Sequence, residues 1–255
     1  MKNPFARSAT KAYWWNEVPN FGDALAPLLL ERYAYLSVEW GSISESKIAS
    51  VGSILEHIPP RWDGYIVGSG RLKENSGLHI RGMKSGITAK ILALRGPLTA
   101  KYIPGSYAIG DPGLLADELV GVQEKNWDLG IIPHFTDTEL EPKFRAMIPK
   151  QHSVRVINPG DDPLTVLRAI GSCHRVVTSS LHGMIVADAF GIPRRVEYTK
   201  KMDNDGGDFK FRDYSASIQT PFVTGKMTEA NRPVVEDVKF AIYDAYRALA
   251  AAVSK

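Results

Sequence analysis

Short apolar runs alternate with stretches whose apolar residues recur every three or four positions. That alternation predicts α/β layers with mainly parallel strands. In residues 23–35, "DALAPLLLERYAY", the spacing predicts a helix, with Asn20 or Asp23 as its cap, although Pro27 sits a turn inside it and proline is best tolerated near a helix start. "KIASVGSIL", "DGYIVGSG" and "AKILALRG" read as strands ending in glycine or small residues, and "PLTAKYI" as a short helix with Pro97 in its first turn. "YAIGDPGLLAD" reads as a strand, a turn and a helical turn. The polar stretch "VGVQEKNWD", 120–128, breaks the pattern and reads as a link.

Beyond the link the grammar repeats. "LGIIPH", "VRVINP" and "HRVVTSS" read as strands, with "TELEPKFRAMI", "DPLTVLRAIG" and "HGMIVADAFG" as the helices that alternate with them. Residues 199–214, "TKKMDNDGGDFKFRDY", have the composition of a long functional loop. Val234, Val238, Ile242, Ala245 and Leu249 then mark one face of a long C-terminal helix. Two α/β domains with a cleft between them, 1–119 and 129–230, followed by a helix over 231–255, account for the pattern.

Composition narrows the class. The 255 residues are 44% hydrophobic and 23% charged, as in an ordinary globular protein. With 31 Lys and Arg against 28 Asp and Glu, the net charge of +3 is too small to point to nucleic acid. The single cysteine, Cys173, excludes an internal disulfide and fits a reducing cytoplasm. The N-terminus has no apolar h-region, and no run is long enough to span a bilayer. A cytoplasmic protein is expected, with peripheral membrane contact left open.

Candidate chemistry gathers at predicted strand C-terminal ends, where open parallel sheets bind ligands. Asn20, Gly22 and Asp23 open a helix whose free amides suit an anion; Asp23 is either a hydroxyl-directed base or merely a cap. Gly68, Ser69 and Gly70 form a small-residue loop, readable as a plain turn or a ligand loop, with Arg71 and Lys73 just beyond. Arg95 ends an apolar strand, where a cation needs either an anionic ligand or a salt bridge. His182 follows Ser179 and Ser180, which would cap its helix, and is either structural or a proton-transfer group. His134 ends a second strand of the same half. No HExxH, zinc-ligand spacing, phosphate-binding loop or G-x-S-x-G elbow occurs, so no metal is expected.

Taken in order, "NFGDAL", "VGSG", "LALRGPLTAKY", "AIGDPGLL", "IIPHFTD" and "VVTSSLHGMIVADAFGIP" resemble the polysaccharide pyruvyl transferase family over roughly residues 14–215. The resemblance implies phosphoenolpyruvate as donor, with no separate cofactor. It also implies two Rossmann-like domains in a GT-B-like arrangement, with the C-terminal helix packing back on the first. The family's R-L-H-G element, whose arginine and histidine contact phosphoenolpyruvate, falls on Ser180, Leu181, His182 and Gly183. Ser180 therefore stands where the family has a cation, and Arg95, Arg71, Lys210 and Arg212 are candidates to replace it. Arg95 matches a family arginine and is the preferred anion partner.

On this resemblance His182 is the general acid or phosphate ligand, and Asp23 or His134 the base for a sugar hydroxyl. The acceptor would be a lipid-linked oligosaccharide at the inner face of the plasma membrane, met through loops such as 199–213. A GT-B glycosyltransferase using a nucleotide sugar, and a non-catalytic carbohydrate-binding protein of the same fold, are the alternatives. The serine at position 180 keeps the second alternative in play.

Overall fold

The computed structural model describes residues 9–74, 88–101, 103–137, 139–197 and 206–254. The first sheet holds β1 (Thr10–Tyr13), β2 (Val38–Trp40), β3 (Ile48–Ser50), β4 (Tyr65–Ser69), β5 (Lys90–Leu94) and β6 (Ala108–Ile109). All six are parallel, in the order β2-β1-β3-β4-β5-β6. The second sheet holds β7 (Leu129–Ile132), β8 (Val154–Val156), β9 (Val176–Thr178), β10 (Arg194–Val196) and β11 (Met227–Thr228). Its order is β11-β10-β9-β7-β8, with only β11 antiparallel.

The two orders are the same device used twice. In the first sheet the chain steps from β1 outward to β2, then returns to the other side of β1 for β3. In the second it steps from β7 to β8 and returns beside β7 for β9. Each sheet therefore has a point where the connections diverge, between β1 and β3 and between β7 and β9. At such points the loops leaving the strand C-termini part and form a crevice.

Helices α1 (Phe21–Ala34), α2 (Pro97–Ala100), α3 (Leu140–Met147), α4 (Pro163–Gly171), α5 (Leu181–Ala189), α6 (Phe209–Ser217) and α7 (Arg232–Val253) complete the described structure, with 3₁₀ segments at Leu55–His57 and Pro112–Leu119. α1 starts at Asn20, whose side chain accepts the Gly22 N–H, and ends at Tyr35 in the left-handed region. Pro27 lies inside α1, yet its neighbours Leu25, Ala26, Leu29 and Leu30 are fully buried. That burial outweighs the hydrogen bond proline forgoes, since each such leucine contributes about 1.5–3 kcal/mol.

One apolar core runs through both halves. It joins Leu29 and Leu30 of α1, Leu114 and Leu115 of the 3₁₀ segment, Ile170 of α4, Ile185 of α5 and Ile242 of α7. α7 packs on α1, β4, β5, β6 and Pro112–Leu119. Its buried face is Val235, Val238, Ile242, Ala245, Tyr246 and Leu249, with Val234 only half-buried. The Tyr246 hydroxyl is 3.0 Å from Ser50 Oγ, and Lys239 reaches Asp117 at 2.7 Å. α7 is thereby fastened to the first sheet.

One expectation changes. Residues 199–205 of the expected acceptor loop lie outside the described residues, but its continuation is not a loop: Phe209–Ser217 form α6. Phe209, Phe211 and Tyr214 are buried there, and burial of these rings overrides the polar composition around them. Residues 75–77 of the loop after β4 likewise lie outside the described residues. The link over 120–128 carries little regular structure, yet Lys125 ties it down by donating to the Gly171 and Cys173 carbonyls at 2.7 and 2.8 Å.

Candidate functional site

A cleft of about 210 Å³ opens where the two sheets present their strand C-termini to each other. From the first sheet it receives Trp15, Asn20 and Asp23, which follow β1, and Gly52, Ser53 and Ile54, which follow β3. From the second it receives His134 and Phe135 after β7, and Ser180, Leu181 and His182 after β9. Both divergence points thus feed one site. Lys210 of α6 completes it, with His57 and Leu72.

Depth sorts these residues by chemistry. Asp23, Ser180, His182 and Lys210 are each less than a tenth exposed and form the floor. Trp15, His134 and Phe135 are half-buried and stand higher, with the Trp15 and Phe135 rings 5.6 Å apart. His134 packs on Phe135 at 4.3 Å, its Nδ1 lies 2.8 Å from Thr136 Oγ1, and its backbone N–H donates to Ser179 Oγ at 2.9 Å. The floor is polar, with one ammonium and one carboxylate, and the rim aromatic.

The floor is built by two helix starts. Ser180 caps α5 by accepting the Gly183 N–H, and the Ser180 N–H itself donates to Thr178 Oγ1 at 2.9 Å. Asn20 caps α1 and also donates to Asp23 Oδ2 at 2.7 Å. Both helices point the positive end of their dipoles at the cleft. Two glycines permit the close packing: a side chain on Gly22 would fall on His182 Nδ1, and one on Gly52, whose φ is +92°, would fall on the Asp23 carboxylate.

His182 is 6% exposed. Burial, and then the charges of Arg95 and Lys210, push its pKa down to about 3, so the ring is neutral in the open cleft. Its Nε2 is buried without a hydrogen-bond partner, 3.9 Å from Asp111 Oδ1. Asp111 is fully buried and its pKa is driven up to about 6, chiefly by burial, against the pull of the Gly113 N–H and Arg95.

Arg95, expected to meet an anion directly, instead meets a carboxylate of the protein. It is fully buried, with Nε donating to Asp213 Oδ2 at 3.0 Å, Nη1 to Ser53 Oγ at 2.6 Å and Nη2 to the Arg71 carbonyl at 2.5 Å. A guanidinium this deep needs a fixed countercharge, and Asp213 supplies it. Thr99 also donates to Asp213, from its N–H at 2.8 Å and its hydroxyl at 2.7 Å. One residue further along α6, Tyr214 donates to Asp188 of α5 at 3.0 Å. These contacts hold α6 from both sides. Lys210, three and four residues earlier, lies on the same stretch of helix surface and enters the cleft.

The other expected residues divide cleanly. Gly183 presses against Thr178 and seats α5 on β9. Gly68, Ser69 and Gly70 lie behind the cleft wall. Ser69 Oγ donates to the Gly52 carbonyl at 3.0 Å, and a side chain on Gly70 would fall on the Arg95 guanidinium. Arg71 is buried, with Nη1 donating to the Glu74 carbonyl at 3.1 Å. Arg212 faces outward and pairs with Asp208 at 3.0 Å. Trp15, Ser53 and Phe135 are cleft residues that sequence reasoning missed. The small-residue end of "ASVGS" was the available signal for Ser53.

Among the described residues no group of three or more His, Cys, Asp and Glu is placed to hold a metal ion. Nor is any helix among them long and apolar enough to cross a membrane.

Comparison with known proteins supports the resemblance read from the sequence. The family model for polysaccharide pyruvyl transferase matches residues 88–196, from the start of β5 to the end of β10. Arg95, Asp111, His134, Ser180 and His182 lie inside the match; Asn20, Asp23, Ser53 and Lys210 lie outside it. The succinoglycan biosynthesis protein ExoV of Rhizobium meliloti is 26% identical over 213 residues, covering 81% of this chain and 64% of that protein. An uncharacterized protein of Acanthamoeba polyphaga mimivirus is 30% identical over 136 residues, covering 48% of this chain and 45% of its own length. The chain therefore spans less than two thirds of either relative.

Proposed function

We propose that the protein transfers the pyruvyl group of phosphoenolpyruvate to two hydroxyls of one sugar in an exopolysaccharide or cell-surface glycan precursor, forming a cyclic ketal. We read the two sheets as Rossmann-like domains in a GT-B-like arrangement, over 1–119 and 129–230, with 231–255 returning to the first. The observation that carries the reading is the cleft floor. A cation, an imidazole, a hydroxyl and two helix starts converge there on a space for a small, highly charged anion, with the Asp23 carboxylate set beside them to face a hydroxyl.

Lys210 takes the part of the arginine that Ser180 replaces. Its ammonium and the amides at the start of α5 bind the phosphate or the carboxylate, and Ser53, held by Arg95, offers a hydroxyl beside them. The aromatic rim of Trp15 and Phe135 receives a pyranose ring, whose C–H face packs on an aromatic side chain.

The chemistry then follows from charge. His182 is neutral in the empty cleft because burial and two cations oppose its protonation. A bound near-trianion reverses that balance and lets the ring carry a proton. His182 gives that proton to C3 of the enol, and C2 gains cationic character. A sugar hydroxyl, relieved of its proton by Asp23 or His134, bonds to C2. The C2–O bond to phosphate breaks with its electron pair and phosphate leaves. A second hydroxyl of the same sugar then bonds to C2 and closes the ketal. C3 has gained one proton and the departing phosphate carries the other, so no oxidant or reductant is needed.

A lipid-linked acceptor at the inner membrane face, and so a cytoplasmic site, belong to the same proposal. Incubation with phosphoenolpyruvate and a panel of pyranosides should release phosphate and yield a glycoside whose mass has grown by one pyruvate ketal. Transfer of sugar from a nucleotide sugar, with no response to phosphoenolpyruvate, would instead establish the glycosyltransferase. Binding of glycosides without turnover of either donor would establish a non-catalytic carbohydrate-binding protein.

A further inference from the structure

Asp111 stands at the N-cap of Pro112–Leu119, where its Oδ1 accepts the Gly113 N–H at 2.8 Å. A cap needs only one oxygen, and asparagine serves there as well. Yet Asp111 has a second oxygen, Oδ2, that is buried with no hydrogen-bond partner. The same is true of His182 Nε2, which faces this carboxylate at 3.9 Å. The 3.9 Å separation is from Nε2 to Oδ1, so the carboxylate and the ring stand about 1 Å short of a hydrogen bond while each keeps a buried atom without a partner, an arrangement costly for a fold to keep.

We propose that Asp111 is the positioning residue behind His182, accepting the Nε2–H so that Nδ1 is the ring nitrogen that exchanges protons in the cleft. The geometry on the other side of the ring agrees. Nδ1 lies against Gly22, where any side chain would collide with it, while Nε2 is the buried nitrogen without a partner. When an anion settles in the cleft, a shift of about 1 Å closes the Asp111 contact. The imidazolium then lies between two negative charges. Without the carboxylate, Arg95 and Lys210 would oppose protonation with only the ligand to offset them.

The inference rests on the pyruvyl-transfer reading for its kinetic test but has a test independent of turnover. The charged and titratable groups facing the pair are Arg95, Lys210 and Asp23 around the cleft, and Asp213, Tyr214 and Tyr246 near Asp111. None of them changes in Asp111→Asn, which keeps the cap and removes only the charge. In ¹⁵N NMR of the free parent protein, His182 should be the Nε2–H tautomer; the Nδ1–H tautomer would overturn the proposal. With turnover in hand, Asp111→Asn should lower kcat about tenfold or more at pH 8, with the deficit shrinking toward pH 6, and leave the donor KM within about twofold. A lower imidazolium pKa in the complex demands that pH dependence, and a merely structural role does not. An unchanged kcat, or a loss equal at every pH, would also overturn it. Failure of the parent to turn over phosphoenolpyruvate would count against the function alone, because the tautomer still decides Asp111.

Discussion

His182 shows how burial and neighbouring charge reset a side chain whose local sequence says little. Its pKa falls to about 3 in the fold, against about 6.5 in the unfolded chain, so the unfolded state binds the proton first as pH drops. Its contribution is therefore full above pH 6.5 and is lost as pH falls from there toward 3. Asp111, pushed up to about 6, works in the opposite sense: its contribution is greatest below its unfolded value and is lost as pH rises toward 6. In His182→Asn only the histidine part is removed. Thermal unfolding should then show a smaller loss of Tm between pH 7 and pH 5 than in the parent. Gly22→Ala tests the packing around the same ring. The new methyl has no room beside Nδ1, so activity should fall at least tenfold while circular dichroism still reports a folded chain; undiminished turnover would mean the ring need not hold this position. From sequence, His182 was readable only as a histidine at a helix start, and its importance came from the order of motifs around it. The partnerless Oδ2 of Asp111 was not readable at all, because such atoms exist only in three dimensions.

At the scale of elements, α6 is the piece the sequence concealed. Its "DFKFRDYSAS" joins a run rich in glycine, aspartate and lysine, and no helical stripe emerges because nearly every side of the helix is buried. With it went Lys210, which stood as one of four candidate cations until the helix gave it a direction. The Arg95–Asp213 pair carries the consequence. Asp213→Ala strands a fully buried guanidinium and removes two acceptors from Thr99, and should cost about 3–5 kcal/mol in denaturant unfolding. Replacing both partners together, Arg95→Met with Asp213→Leu, should recover much of that stability. It should still raise the donor KM, because α6 then lacks the contact that aims Lys210. A fully normal donor KM in the double variant would separate Lys210 from this pair.

Over the whole molecule, the repeat of strand and helix in the two halves was plain in the sequence, and so was the helix that closes the chain. Hydrophobic period reports which elements are buried, and parallel sheets leave few choices for the rest. Neighbours across the cleft were not legible, because Trp15 and Phe135, or Asp23 and His182, are far apart in sequence and meet only when both sheets are assembled. α7 belongs to this scale too. Tyr246→Phe removes its hydroxyl from Ser50, which still donates to the Val67 carbonyl, and should cost about 1 kcal/mol with little effect on the cleft.

The most direct test of the central claim is calorimetric titration of phosphoenolpyruvate into the parent protein and into Lys210→Met. One donor site per chain is expected, weakened at least tenfold by the substitution and competed by inorganic phosphate. Equal affinity in the two proteins would contradict it and move the anion away from this cleft.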